Sequence, residues 1–121
     1  MWYEELPERC PPEDAFHPNG VYFRLTESEK IECSDFWSHR KKWPTKMFQV
    51  CECRARSVSV FDDIEQCLNV RKLPNQKQKK IVSVQLSNGD GVIKQTGKNT
   101  SHYSWWRSDT FDVNSAQVVA A

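Results

Sequence analysis

The chain has 121 residues, of which 38% are hydrophobic, 12% aromatic and 27% charged, and its formal net charge is +1. This length fits one domain, which can bury a core without help from a metal or a disulfide. The near-neutral charge argues against a nucleic-acid-binding domain, which is usually strongly basic. No apolar run is long enough to cross a membrane. We therefore expect one small soluble domain that acts on neither nucleic acid nor a bilayer.

Charge is distributed unevenly along the chain. Residues 1–35 carry nine acidic and three basic side chains, whereas residues 36–60 carry six basic and one acidic side chain. Such asymmetry can mark a basic patch that binds an anionic partner. It can equally mean that the acidic N-terminus folds across the basic middle of the chain. The sequence leaves both interpretations open.

The five cysteines are an odd number, so they cannot all pair within the chain. The acidic N-terminus has no apolar segment of the kind found in a secretory signal. Free thiols in a reducing cytoplasm are the simplest expectation. Cys51 and Cys53 are one residue apart, whereas structural zinc sites space paired cysteines by two to four residues. We predict no metal and assign no cofactor.

The first half of the chain predicts an irregular arm, a strand and a helix. Residues 1–19 contain four prolines and no periodic pattern. "GVYFRLT" (20–26) alternates like a strand. "SDFWSHRK" (34–41) predicts a short helix capped by Ser34, which must end before Pro44. "MFQVCECRARSVSVF" (47–61) predicts one long strand with Arg54 and Arg56 on the same face.

The second half predicts a helix followed by three strands. Asp62 is the expected cap of "DDIEQCLNVRK", with Glu65 in a capping-box position. "IVSVQL" (81–86) and "GVIKQT" (91–96) flank Asn-Gly, which predicts a β-hairpin. "SAQVVAA" (115–121) predicts a last strand. The order indicates an α+β fold, with a largely antiparallel sheet and two short helices in a single compact domain spanning 20–121, preceded by the arm 1–19.

The segment "SHYSWWRSDTFD" (101–112) concentrates aromatic and polar side chains. If residues 102–106 are extended, His102, Ser104 and Trp106 share one face, and Tyr103 and Trp105 share the other. One of these faces should belong to the core. The other either lines a pocket, where an indole and an imidazole could stack a ligand, or is covered by a helix and the arm. Pocket and core plug remain equal alternatives.

Several short elements resemble, in order, a pattern found in small uncharacterised bacterial proteins. They are "YFRL", "DFWS", "SVSVFDDIEQC", "GVIKQT" and "HYSWW", within residues 21–113. These proteins have no assigned activity, so the resemblance implies a fold rather than a function.

The chain is also distantly similar to ADP-ribosyltransferase-like folds. The resemblance implies that Arg24, with Ser57 or Ser59, holds NAD, and that a helix follows the serine strand. The catalytic glutamate that the family places near its last strands is missing, since this region offers only Asp109, Asp112 and Gln117.

Three functions follow as expectations. The first is a cytoplasmic binding module whose aromatic-lined pocket holds a small or nucleotide-like ligand or a partner peptide; its expected binding residues are Arg24, Ser57, Ser59, His102, Trp105 and Trp106. The second is a diverged NAD-dependent ADP-ribosyltransferase-like enzyme. The third is a protein-interaction partner of the immunity or antitoxin kind. The sequence does not decide whether any reaction is catalysed.

Overall fold

The computed structural model describes residues 1–119, which form one α+β domain built on a six-stranded antiparallel sheet. The strands, in sheet order β4-β5-β2-β1-β3-β6, are β1 Gly20–Thr26, β2 Val58–Phe61, β3 Lys80–Leu86, β4 Gly91–Gln95, β5 His102–Arg107 and β6 Gln117–Val118. The helices are α1 His39–Lys42, α2 Glu52–Ala55 and α3 Ile64–Arg71. The fold class predicted from sequence is confirmed, with three short helices where two were expected. Residues 120–121 of the predicted last strand lie outside the described part.

The helix predicted at residues 34–41 is divided in two. A 3-10 turn covers Cys33–Phe36 and α1 begins only at His39, so Ser34 is not its cap. Ser38 caps α1 instead, with its hydroxyl accepting from the Lys41 backbone N–H at 3.2 Å. Glu4 fixes this start, because its carboxylate accepts from the Ser38 N–H at 2.9 Å and from the Ser38 hydroxyl at 2.6 Å. The acidic arm thus determines where the basic segment becomes helical.

The long strand predicted at residues 47–61 is wrong over most of its length. Residues Glu52–Ala55 form α2, and only Val58–Phe61 is a strand. The Glu52 carboxylate accepts from Arg40 at 2.9 Å and from Arg56 at 2.8 Å. The second pair has the i,i+4 spacing that supports a helix turn and not a strand. Arg54 and Arg56 therefore do not share a strand face.

The cap of α3 lies one residue later than predicted. The Asp63 side chain, not that of Asp62, accepts from the Glu65 backbone N–H at 3.0 Å. Asp62 still pairs with the residue that precedes β5, because its N–H donates to the Ser101 carbonyl at 3.1 Å and its carboxylate accepts from the Ser101 hydroxyl. The β2–β5 pairing thus extends past β2 and delays the helix.

The predicted hairpin between β3 and β4 is wrong, because these strands are four positions apart in the sheet. Only residues 87–90 connect them. The five Cα–Cα steps from Leu86 to Gly91 would span at most about 17–18 Å if extended, and the 3-10 turn Asn88–Asp90 shortens them further, whereas four strand spacings in a flat sheet measure about 19 Å. The sheet must therefore curl until its two sides approach each other. Gly91 permits the tight entry into β4, since it has φ 121° and a Cβ there would collide with the Trp106 carbonyl oxygen.

The main hydrophobic core fills the inside of this curl. It consists of Phe36, Val58, Val60, Val82, Val84, Leu86, Ile93, Trp105, Phe111 and Ala116. A smaller cluster containing Phe61, Cys67 and Ile81, with partly buried residues of α3, covers the other face. No helix within residues 1–119 is both long and apolar enough to cross a membrane.

The arm is fastened to the domain. Trp2 forms a bridge to Ser108, and Phe16 forms a bridge to Ile93 at the edge of β4. Cys10 and Cys53 form a disulfide. The expectation of five free thiols is therefore wrong for two of them, because the arm brings Cys10 onto α2. Cys33 and Cys51 are exposed free thiols and Cys67 is a buried one.

Replacing Cys10 by Ser should lower the free energy of unfolding by about 2–4 kcal/mol, because the unfolded chain loses a cross-link. Urea unfolding followed by circular dichroism measures the change. Cys51→Ser is the matched control, since Cys51 is exposed and unpaired. Equal stabilities for the two variants, or an unchanged wild type after reduction, would contradict the pairing.

Candidate functional site

A cavity of 280 Å³ opens where the two central strands separate. β1 and β2 are paired at one position only, Phe23 with Phe61, although β1 continues to Thr26. Neighbouring loops and the start of α1 complete the wall. The lining residues are Arg24, Leu25, Thr26, Glu27, Asp35, His39, Lys42, Trp43, Ser59, Phe61, Val70, Gln76, Lys79 and His102.

The side chain of Arg24 connects β1 to β2 where the backbone pairing of these strands stops. Its Nε donates to the Asp35 carbonyl at 2.7 Å, and its Nη1 donates to the Ser59 carbonyl at 2.7 Å. Arg24 is 8% exposed. Burial, opposed by the charge of Asp35, lowers the pKa of Arg24 to about 10, so the guanidinium remains charged at neutral pH.

The third nitrogen of Arg24 is available to a ligand. Nη2 makes no hydrogen bond within residues 1–119. No buried side-chain nitrogen or oxygen in that range lacks a partner, so Nη2 is not sealed in the protein interior. Since Arg24 lines the cavity, this donor is placed to reach an acceptor there.

His102 and Ser59 form a hydrogen-bonded pair beside Arg24. The Nδ1 atom of His102 lies 3.0 Å from the Thr96 carbonyl, and Nε2 lies 2.9 Å from the Ser59 hydroxyl. A carbonyl only accepts, so Nδ1 carries the proton. In the neutral ring, Nε2 therefore accepts from the Ser59 hydroxyl. The edge-to-face contact of Phe61 at 5.4 Å holds the imidazole in place.

The environment of His102 favours the neutral ring. Burial lowers the pKa of His102, and the positive charges of Arg54 and Arg24 lower it further. The hydrogen bond to the Thr96 carbonyl acts in the opposite direction. With a pKa below its ordinary value near 6.5, His102 can accept a proton at neutral pH.

Cationic side chains surround the mouth of the cavity. Lys79 and Lys42 lie 3.7 Å and 4.0 Å from the Glu27 carboxylate. Burial lowers the pKa of Lys42, and Arg24 and Lys79 add repulsion. The second carboxylate of the lining, Asp35, accepts from the backbone N–H groups of Glu32 at 2.9 Å and Ser28 at 3.3 Å. Arg24, Lys42 and Lys79 therefore share the lining with one carboxylate, that of Glu27, which backbone donors do not already satisfy.

The expectation that an indole of β5 faces a ligand is wrong. Trp105 is 0% and Trp106 2% exposed, and neither lines the cavity. Trp105 donates its indole N–H to the Asp90 carbonyl at 2.9 Å, and Trp106 donates to the Cys53 carbonyl at 2.9 Å. Trp105 belongs to the main core inside the curled sheet, and Trp106 is buried and bonded to α2 through Cys53.

The structure brings together three of the six predicted binding residues, Arg24, Ser59 and His102. Ser57 is elsewhere, since its hydroxyl donates to the Arg54 carbonyl at 2.7 Å at the end of α2. The exposed indole of the cavity is Trp43, which is 46% exposed and lies 5.6 Å from the His39 ring.

Sequence reasoning missed the residues that α1 contributes. Burial lowers the pKa of His39, and nearby cations, including Arg24 and Lys42, lower it further. The basic stretch "HRKKW" at 39–43 was the available signal, because it places charge and an aromatic ring together. Within residues 1–119, no group of three histidine, cysteine, aspartate or glutamate side chains could hold a metal ion.

Arg24→Met should lower the free energy of unfolding by about 2–4 kcal/mol, because two carbonyls lose hydrogen bonds from a charged donor. Urea unfolding measures this. Lys94→Met is the control: Lys94 makes an exposed ion pair with Asp14 at 2.7 Å, which should contribute about 0–1 kcal/mol. If the two variants were equally stable, Arg24 would not connect the strands.

His102 should make the protein less stable in mild acid. The unfolded chain takes up a proton near the ordinary pKa of about 6.5, whereas the folded ring resists it. Stability is therefore present above that pH and is lost as pH falls from about 7 to about 5. His102→Gln should reduce this slope, and a slope from His39 should remain. Urea midpoints across this range measure it, and an unchanged slope in the variant would refute the assignment.

No protein-family model, curated protein or solved structure matches the chain. The resemblances drawn from its motifs therefore stay predictions. The function has to be argued from the cavity itself.

Proposed function

We propose that the chain is a binding module whose cavity holds a small anionic, nucleotide-like ligand. The observation that carries this proposal is that Arg24, Ser59 and His102 line one cavity together with Lys42 and Lys79. Arginine and lysine donors bind phosphate or carboxylate oxygens through charge-assisted hydrogen bonds. The Nη2 of Arg24, which has no acceptor within residues 1–119, supplies such a donor, and Lys42 and Lys79 supply further positive charge.

The volume of the cavity and its aromatic side chains limit which ligands can fit. The cavity of 280 Å³ is close to the lower limit of about 300 Å³ for small-molecule pockets. It suits a phosphate with an attached sugar better than a whole dinucleotide. Phe61 within the cavity and Trp43 at its mouth offer faces on which a base could stack, which contributes about 1–3 kcal/mol per base.

A partner peptide fits this site less well than a small anion. The cations are arranged around a cavity, and peptide docking usually needs an extended groove or a free strand edge. The acidic arm also satisfies part of the basic segment internally, since Arg56 donates to the Glu5 carbonyl at 2.6 Å. The immunity or antitoxin role predicted from charge segregation therefore draws less support from the surface than binding does from the cavity.

NAD-dependent ADP-ribosyl transfer is the second candidate. It is favoured by the position of Arg24 and Ser59 on one cavity, with α3 following the serine strand. The carboxylates of the lining are Glu27, which lies within 4.0 Å of both lysines, and Asp35, which accepts from two backbone N–H groups. Neither comes from the last strands, where the resemblance would require the catalytic acid. Consumption of NAD by the purified protein tests this candidate.

Cytoplasmic location also stays a prediction. The Cys10–Cys53 disulfide is the feature that bears against it, because disulfides persist mainly in oxidising compartments. Counting the thiols of protein isolated under alkylating conditions from its native host tests this point.

Pyrophosphate, AMP, ADP and NAD should be titrated against the protein while tryptophan fluorescence is recorded. At least one should bind, and Lys42→Ala with Lys79→Ala should weaken it about tenfold or more, since each tenfold loss corresponds to about 1.4 kcal/mol. Lys94→Ala should leave the affinity unchanged, because Lys94 pairs with Asp14 outside the cavity. Trp43→Phe should remove most of the signal without removing binding measured by calorimetry. Absence of binding at millimolar concentration, or equal affinity in the double variant, would contradict the proposal.

A further inference from the structure

We propose that Ser59 is a nucleophile for acyl transfer, that His102 is its general base, and that the substrate is a small carboxylic ester bearing a negative charge. This inference uses the cavity of the proposed function and adds a reaction to it. It is distinct from NAD chemistry, because the electrophile is an acyl carbon and no cofactor takes part.

The geometry matches what an activated serine requires. A nucleophile must lie within hydrogen-bond reach of a base, and a third group must orient that base. Ser59 Oγ is 2.9 Å from His102 Nε2, and His102 Nδ1 is 3.0 Å from the Thr96 carbonyl. The carbonyl of Thr96 fixes the tautomer in which Nε2 is free to accept the serine proton. Thr96 thus acts as a positioning residue.

The Ser59–His102 pair differs from an ordinary buried hydrogen bond because a ligand in the cavity can reach it. Ser59 and His102 both line the cavity. The neighbouring Ser104 is paired with Ser59 across the strands but is 1% exposed and does not line it. Its hydroxyl is taken up by the Thr96 hydroxyl at 2.8 Å. Ser59, which is hydrogen-bonded to the imidazole of His102, is therefore the one of these two serines that a substrate can reach.

Charge next to the serine suits the reaction. Arg24 donates through Nη1 to the backbone carbonyl of Ser59 at 2.7 Å, and both residues line the cavity. A fixed cation in the cavity where the serine reacts can stabilise the oxyanion that forms during acyl transfer. Lys42 and Lys79 at the mouth would attract the anionic group of the substrate.

The reaction balances with water as the only co-reactant. Ser59 Oγ bonds to the acyl carbon while its proton passes to His102 Nε2. The tetrahedral intermediate then expels the alcohol, which takes that proton from His102. Water, deprotonated by His102, attacks the acyl-serine ester and releases the carboxylic acid. His102 returns its proton to Ser59 Oγ, and both residues are restored.

A fluorophosphonate probe tests the nucleophile directly, because attack by serine displaces fluoride and leaves a stable adduct. Mass spectrometry of the intact wild-type protein should show one adduct, and peptide mapping should place it on Ser59. Ser57→Ala is the matched control and should label fully, since Ser57 lies two residues away and outside the cavity. Ser59→Ala should not label. His102→Gln should label about 10²–10⁴-fold more slowly, which is the usual contribution of a general base.

Ester hydrolysis tests the substrate class. The p-nitrophenyl monoester of succinate, which is anionic, should be cleaved faster than p-nitrophenyl acetate. The preference should disappear in Lys42→Ala with Lys79→Ala. Urea unfolding of each variant must show a folded protein, and His102→Asn replaces His102→Gln if the latter does not fold.

Two results would overturn the inference: no adduct on the wild type under conditions that label a known serine hydrolase, or an adduct that persists in Ser59→Ala. Either result leaves the proposed function intact if pyrophosphate or a nucleotide still binds and the lysine variants weaken it. Conversely, labelling of Ser59 without nucleotide binding would support the acyl-transfer inference and contradict the proposal that the ligand is nucleotide-like.

Discussion

The charged bridge from Arg24 to the carbonyls of Asp35 and Ser59 is the interaction on which the centre of the molecule depends. The two middle strands are paired at one position, so the sheet would otherwise expose unpaired backbone groups at its centre. Buried carbonyls need donors, and a guanidinium can satisfy two of them while remaining charged. The cavity therefore exists because a side chain replaces part of a backbone ladder.

The curl of the sheet explains why aromatic residues became core rather than surface. With only residues 87–90 between β3 and β4, the two sides of the sheet must converge. Trp105 then lies inside the curl against Phe36 and Phe111, with ring centroids 6.4 Å and 4.8 Å away. A chain with 38% hydrophobic residues needs such large rings to fill its interior.

Local sequence patterns predicted the fold class and most of the strands, but neither the helix α2 within residues 47–61 nor the partners of the strands. The alternation in 20–26 and 81–86 matches β1 and β3, because strand periodicity is a property of a single segment. Asn88-Gly89 predicted a hairpin from turn chemistry alone, whereas sheet order is set by which faces are buried together. The same limit applies to the site: Arg24, Ser59 and His102 stood out by residue type, and the contribution of Trp43 depended on a helix boundary that the distant Glu4 determines.

Arg24 both connects the central strands and lines the cavity, so a substitution of Arg24 cannot separate its structural role from its proposed binding role. Two of its three nitrogens donate to carbonyls, so Nη2 is the nitrogen that it can offer to a ligand. In the proposed binding role, the rest of the ligand's negative charge is met by Lys42 and Lys79, which lie 4.0 Å and 3.7 Å from the Glu27 carboxylate. Partly exposed ion pairs of this length contribute little to stability. Substitution of the two lysines can therefore change the affinity for the proposed ligand while the stability of the fold stays nearly constant. This is expected when a rigid framework holds a site whose charged side chains are not part of that framework.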